Sequence, residues 1–228
     1  MQKEIMNVMK KIIAGVTAFA LALLAPQVVQ AQGTMTYLSS LGSTSAGSLA
    51  VGSNSWWGVY WGTGTNASGY TLDSIQLAMT DATGSPSNFT VMLYEGGTFT
   101  AGLLMGTNIG TLDGSLSPTT AGLYAFTPAS NITLLPSENY EIVLTAGTAV
   151  ANGAYDWSYA GTYSYNLSGG WGGGSALTST DGINWNSSSH DYPQFAITVT
   201  DVPEPGVLGL FSLGGLAFLC HRRKTKAA

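Results

Sequence analysis

From Ile12 to His221 the chain contains no lysine and no arginine. All seven such residues lie at the two ends: Lys3, Lys10 and Lys11, then Arg222, Arg223, Lys224 and Lys226. Eleven carboxylates, from Asp73 to Glu204, lie in the cation-free span. The fold of this span therefore cannot use buried Lys or Arg ion pairs. Solubility must come from net negative charge and from Ser, Thr, Asn and Gly. Phosphate neutralisation needs Lys or Arg, so nucleic-acid binding is excluded. The single cysteine, Cys220, also excludes an internal disulfide and a structural cysteine–metal site. Apolar packing has to hold the domain. A segment of about 170 residues can do so, because a domain of that size buries roughly two-thirds of its unfolded surface.

The pattern of that packing is period two. Apolar and aromatic residues come in short runs that alternate with Ser and Thr, the signal of half-buried strands. Strands are expected over 56–61, 70–79, 89–94, 122–126, 140–145, 155–159 and 195–200. Turn clusters separate them, among them Thr63-Gly64-Thr65-Asn66, Glu95-Gly96-Gly97, Asp113-Gly114 and Asp181-Gly182. Residues 32–200 are thus expected to form one all-β ectodomain, a β-sandwich or jelly roll. The glycine run at 169–174 is expected to be a flexible, exposed loop. No Lys and no helix start follows it, so it does not read as a phosphate cradle.

No residue in this span is assigned a catalytic role. Glu138 and Glu141 are three apart, which on a strand sends them to opposite faces, and most other carboxylates sit in turns. His190 stands in a loop without a nucleophile elbow and reads as solvent-facing. No metal site and no cofactor is predicted; a single structural Ca²⁺ would have to be assembled from scattered carbonyls and one or two Asp. The aromatic content is more suggestive, with six Trp and eleven Tyr. Sugar CH faces stack on exposed rings, and polar neighbours hydrogen-bond the hydroxyls. The candidate carbohydrate contacts are Trp56, Trp57, Trp171 and Trp185. Alternation places Trp56 and Trp57 on opposite faces of one strand, and Trp171, inside the glycine run, is expected to be exposed. The alternative is that these rings fill the core.

Both ends read as processing signals. Residues 1–31 have a basic flank, a short apolar stretch and small residues before Gln32, the features of a secretory signal peptide cleaved between Ala31 and Gln32. At the other end Val202-Pro203-Glu204-Pro205 precedes an apolar run, 206–220, and then the basic stop Arg222-Arg223-Lys224. As a helix, that run would span only about 22 Å, against a hydrocarbon core of about 30 Å. It is expected to form a short transmembrane helix that anchors the chain in the inner membrane only transiently.

The order and spacing of these three parts resemble the PEP-CTERM sorting signal over residues 201–228. The resemblance implies recognition by an exosortase, a membrane-embedded transpeptidase-like protease. It also implies a Gram-negative bacterium that makes extracellular polysaccharide, and a final location at the cell surface or in the matrix. The ectodomain in turn resembles the choice-of-anchor domains of type R. That resemblance rests on Trp56-Trp57, on the stretch from Tyr70 to Ile75, on Phe89 to Tyr94 and on Ile132 to Leu144, and it implies no catalytic residues. The expected role is structural or adhesive, in association with extracellular polysaccharide. A carbohydrate-binding module is the alternative, and a polysaccharide hydrolase the weaker one.

Overall fold

Residues Tyr70–Met79 form the longest strand, and their burial follows the alternation of the sequence. Leu72, Ile75, Leu77 and Met79 are buried, with half-buried residues between them. The spacing from Leu72 to Ile75 is three, not two. Asp73 is the extra residue: pairing with the last strand shifts register between Ser74 and Leu72. A bulge of this kind keeps both apolar residues on one face.

The computed structural model describes residues 33–96, 102–103, 106–114, 117–188 and 191–203. In chain order the strands are β1 (Thr34–Ser39), β2 (Gly47–Val51), β3 (Trp56–Gly62), β4 (Tyr70–Met79), β5 (Thr83–Gly84) and β6 (Thr90–Glu95). Next come β7 (Gly102–Leu103), β8 (Thr107–Gly114), β9 (Gly122–Pro128), β10 (Thr133–Leu134) and β11 (Asn139–Thr145). A 3-10 turn at Val150–Asn152 leads into β12 (Gly153–Ala160). The last are β13 (Asn166–Leu167), β14 (Gly172–Ser179), β15 (Asn184–Ser188), β16 (Tyr192–Pro193) and β17 (Phe195–Asp201).

The main strands make one antiparallel ribbon in the order β1, β17, β4, β9, β8, β6, β11, β3, β14, β15. β9 carries the ribbon round a corner, since Gly122–Phe126 pairs with β4 while Phe126–Pro128 pairs with β8. The two layers so formed face each other. Ile75, Leu77, Ile197 and Val199 of one layer share a core with Val59, Trp61, Val91, Leu93 and Ile142 of the other. β2 and β12 pair with each other and join β4 at Met79 opposite Trp157. The described domain is all-β, as the alternation predicts.

The seven expected strands all exist, displaced by no more than two residues at either end. The glycine run corrects the expectation for that segment. Gly172, Gly173 and Gly174 open strand β14, which pairs with β3. At Gly173 and Gly174 a side chain is excluded by what lies above them. A Cβ on Gly174 would stand 2.3 Å from Tyr60 O, and one on Gly173 would stand 2.5 Å from the Tyr165 ring. One buried polar cluster is satisfied without ions. Gln194 donates to Ser43 O at 2.6 Å and accepts from Ser158 Oγ at 2.5 Å, while Ser40 Oγ donates to Pro193 O and accepts from Phe195 N.

Candidate functional site

The described residues 201–203 are the start of the tail, and the domain holds them in place. Asp201 ends β17, opposite Tyr70 of β4. Its carboxylate accepts the Tyr37 hydroxyl of β1, at 2.9 Å to Oδ1 and 2.7 Å to Oδ2. Burial, then the hydrogen bond and charge of Asp201, push the Tyr37 hydroxyl up to about 12, so it stays a donor at any ordinary pH. Val202 is held at both backbone groups. Its N–H donates to Gly69 O at 3.1 Å, and its carbonyl accepts from Asn66 Nδ2 at 3.5 Å. Pro203 is exposed.

The turn that grips Val202 is built by its own sequence. Asn66 Oδ1 accepts from Ser68 N, Asn66 O accepts from Gly69 N, and Asn66 Nδ2 also donates to Gly69 O at 3.0 Å. This is the local self-bonding that makes Asn a turn residue. Gly69 has φ +77°, and a Cβ there would stand 2.5 Å from Leu134 O, so the position requires glycine. Asn66 N donates to Tyr70 Oη, which ties the turn to the core.

Behind this rim four rings stack across the two layers. Tyr140 lies on Trp61 at 5.1 Å, Trp61 on Trp171 at 5.2 Å and 4°, and Trp171 on Tyr37 at 5.3 Å. Tyr70 meets Tyr37 and Trp171 edge-on. Offset stacks and edge contacts are the favoured aromatic geometries. Trp171 is the ring expected to be exposed, and the structure corrects this: it is 4 % exposed and forms the centre of the stack. Trp185 is 0 % exposed. It packs with Val143 and Leu177 on the outer face of the second layer. Neither ring presents a face to a sugar. Trp56 and Trp57 are half-buried on opposite sides of β3. Trp57 lies against the main core and Trp56 against the outer cluster, each with its indole N–H bonded to a carbonyl, Ser53 O for Trp56 and Ala50 O for Trp57.

Among the described residues the exposed aromatic ring is Tyr163, flanked by half-buried tyrosines that composition alone did not single out. Tyr163 is 53 % exposed. It stands edge-on to Tyr165 at 4.9 Å and at 90° to Tyr192 at 5.6 Å. Tyr165 is anchored by its hydroxyl on Gly174 O and by its ring against Phe195. The only sequence sign of this corner is the Tyr163-Ser164-Tyr165 alternation, with Tyr192 arriving from far along the chain.

Two carboxylates have unusual surroundings. Glu141 of β11 is 1 % exposed, between Tyr60 of β3 and Tyr94 of β6, and its Oε2 has no hydrogen-bond partner. Burial raises its pKa to about 7. Asp181 is the opposite case. It accepts from the backbone N–H groups of Asn184 and Ile183, which hold it well below the usual carboxylate range. Among the described residues no three His, Cys, Asp or Glu side chains gather as metal ligands. No described helix is long and apolar enough to cross a membrane. The expected signal peptide at 1–31 with its Ala31–Gln32 junction, His190, Glu204 and Pro205, the apolar run 206–220 and the expected basic stop Arg222, Arg223, Lys224 lie outside the described residues.

A family model for the PEP-CTERM protein-sorting motif matches residues 201–224. The chain carries a PEP-CTERM sorting motif. The match begins at Asp201, the residue that Tyr37 holds, so the PEP-CTERM motif starts inside the last strand of the domain. The motif makes the chain an exported protein, processed by an exosortase on its way to the cell surface. No curated protein and no solved structure matches the chain.

Proposed function

We propose that the domain is a non-enzymatic structural or adhesive module, of the choice-of-anchor kind, that associates with extracellular polysaccharide once sorting has placed it at the surface. The observation that supports this reading is the corner where exposed Tyr163 stands against half-buried Tyr165 and Tyr192, on a domain without Lys or Arg. Such a surface suits a neutral or weakly polar ligand. Rings contact sugar CH faces, and hydroxyls and amides beside them supply hydrogen bonds. Ser164 and Asn166 flank these rings and are exposed. The corner favours direct carbohydrate binding over a purely structural role, and it replaces Trp171 and Trp185 as the contact surface.

The test is retention of the mature protein on the polysaccharide of the producing cells. Tyr163→Ala combined with Tyr192→Ala should weaken retention about tenfold, the effect of losing 1–2 kcal/mol of stacking. A wild-type protein that is not retained at all would exclude the association.

A further inference from the structure

We infer that the domain is part of the sorting substrate: Tyr37, Asn66 and Gly69 position the start of the PEP-CTERM motif for the exosortase. This rests on exosortase processing and not on the polysaccharide reading.

The argument begins with distance along the chain. Among the described residues, Val202 is the last one the domain grips, and Pro203 after it is exposed. Glu204 follows only two residues after Val202 in the sequence, and an extended chain advances no more than about 3.6 Å per residue. An enzyme that reads Pro203-Glu204-Pro205 therefore acts on residues that directly follow gripped ones in the sequence. The rim is also stiff where it matters. The Asp201 carboxylate is fixed by Tyr37, and both Val202 backbone groups are bonded to the 66–69 turn. A residue before proline is confined to extended conformations, and proline fixes its own φ, so the step from Val202 to Pro203 adds little freedom. Residues outside the motif thus remove conformational freedom from its first residues before any enzyme arrives. Preorganisation of this kind shows as rate, because the bound geometry need not be searched for.

The two positioning side chains are remote in sequence, 164 residues before Asp201 for Tyr37 and 136 before Val202 for Asn66. Substituting them leaves the motif's own sequence untouched. The experiment is a pulse-chase of the full chain in the producing cell, following conversion to the mature mass. Tyr37→Phe removes the hydroxyl from Asp201, and Asn66→Ala removes the reach to Val202. A third variant inserts Gly-Ser-Gly-Ser-Asp-Val between Val202 and Pro203. It keeps the grip on residues 201–202 and restores an intact Asp-Val-Pro-Glu-Pro run beyond a flexible spacer. Protease resistance of the accumulated precursor reports whether each variant has folded. All three should be processed about threefold or more slowly than wild type. If Tyr37→Phe or Asn66→Ala fails to fold, the insertion decides alone. Processing of the insertion variant at the wild-type rate or faster overturns the proposal.

Discussion

Glu141 is the residue whose chemistry departs furthest from its sequence context. Its carboxyl is enclosed between two tyrosines, the described residues contain no Lys or Arg to pair with it, and its pKa is raised from 4.5 to about 7. A raised folded pKa means that the native state holds a proton the unfolded chain has already released. That contribution is fully present below pH 4.5 and is lost as pH climbs to about 7. The full shift corresponds to roughly 3 kcal/mol. Glu141→Gln should therefore be more stable than wild type at pH 8 by about 1–2 kcal/mol and show a flatter pH profile in urea melts between pH 5 and 8. Trp171 makes the complementary point. Trp171→Ala removes the middle of a four-ring stack and should cost about 3–5 kcal/mol, seen as a lowered Tm. The alternation rule could not place this ring, because glycines on both sides carry no pattern. Its burial comes from Trp61 and Tyr37, which approach from other strands.

At the level of elements, the strands legible in the sequence are those with apolar residues every second position, such as Tyr70–Met79 and Asn139–Thr145. Two that were missed, β1 and β2, do alternate, with Met35 and Tyr37 and with Leu49 and Val51, but other missed strands are short of such residues. β8 reads TNIGTLDG, β14 begins with three glycines and β15 reads NWNSS. They are strands because a neighbour supplies the ladder and the cover. β14 shows this most directly, since Tyr60 and Tyr165 occupy the space where its side chains would be. Gly174→Ala should accordingly destabilise the domain by about 2 kcal/mol or more. Gly172→Ala, with nothing within 4 Å of the added Cβ, should change stability by no more than about 0.5 kcal/mol. Chemical denaturation of the pair checks the contrast. The candidate site was legible in one half only. The motif reads from local sequence, whereas the grip on it unites residues 37, 66, 69 and 201–202, which only the fold brings together.

For the whole molecule, the cation-free span makes a prediction that needs no contact list. Trypsin requires Lys or Arg, and none lies between Lys11 and Arg222. The mature domain should keep its full mass after trypsin even when heated, while chymotrypsin should degrade it only once it unfolds; intact-mass spectrometry before and after digestion reads both. The pairing of β1 with β17 adds a matter of timing. Thr34 lies opposite Thr200, 166 residues later, so the first strand to be made waits for the last. At synthesis rates of about 5–20 residues per second, that wait is roughly ten seconds or more. The strand that ends it is the one whose final residue opens the sorting motif. A chain delivered from its N-terminus onward therefore completes its domain only as the address that follows comes into view, and an unfinished domain has no gripped motif to offer.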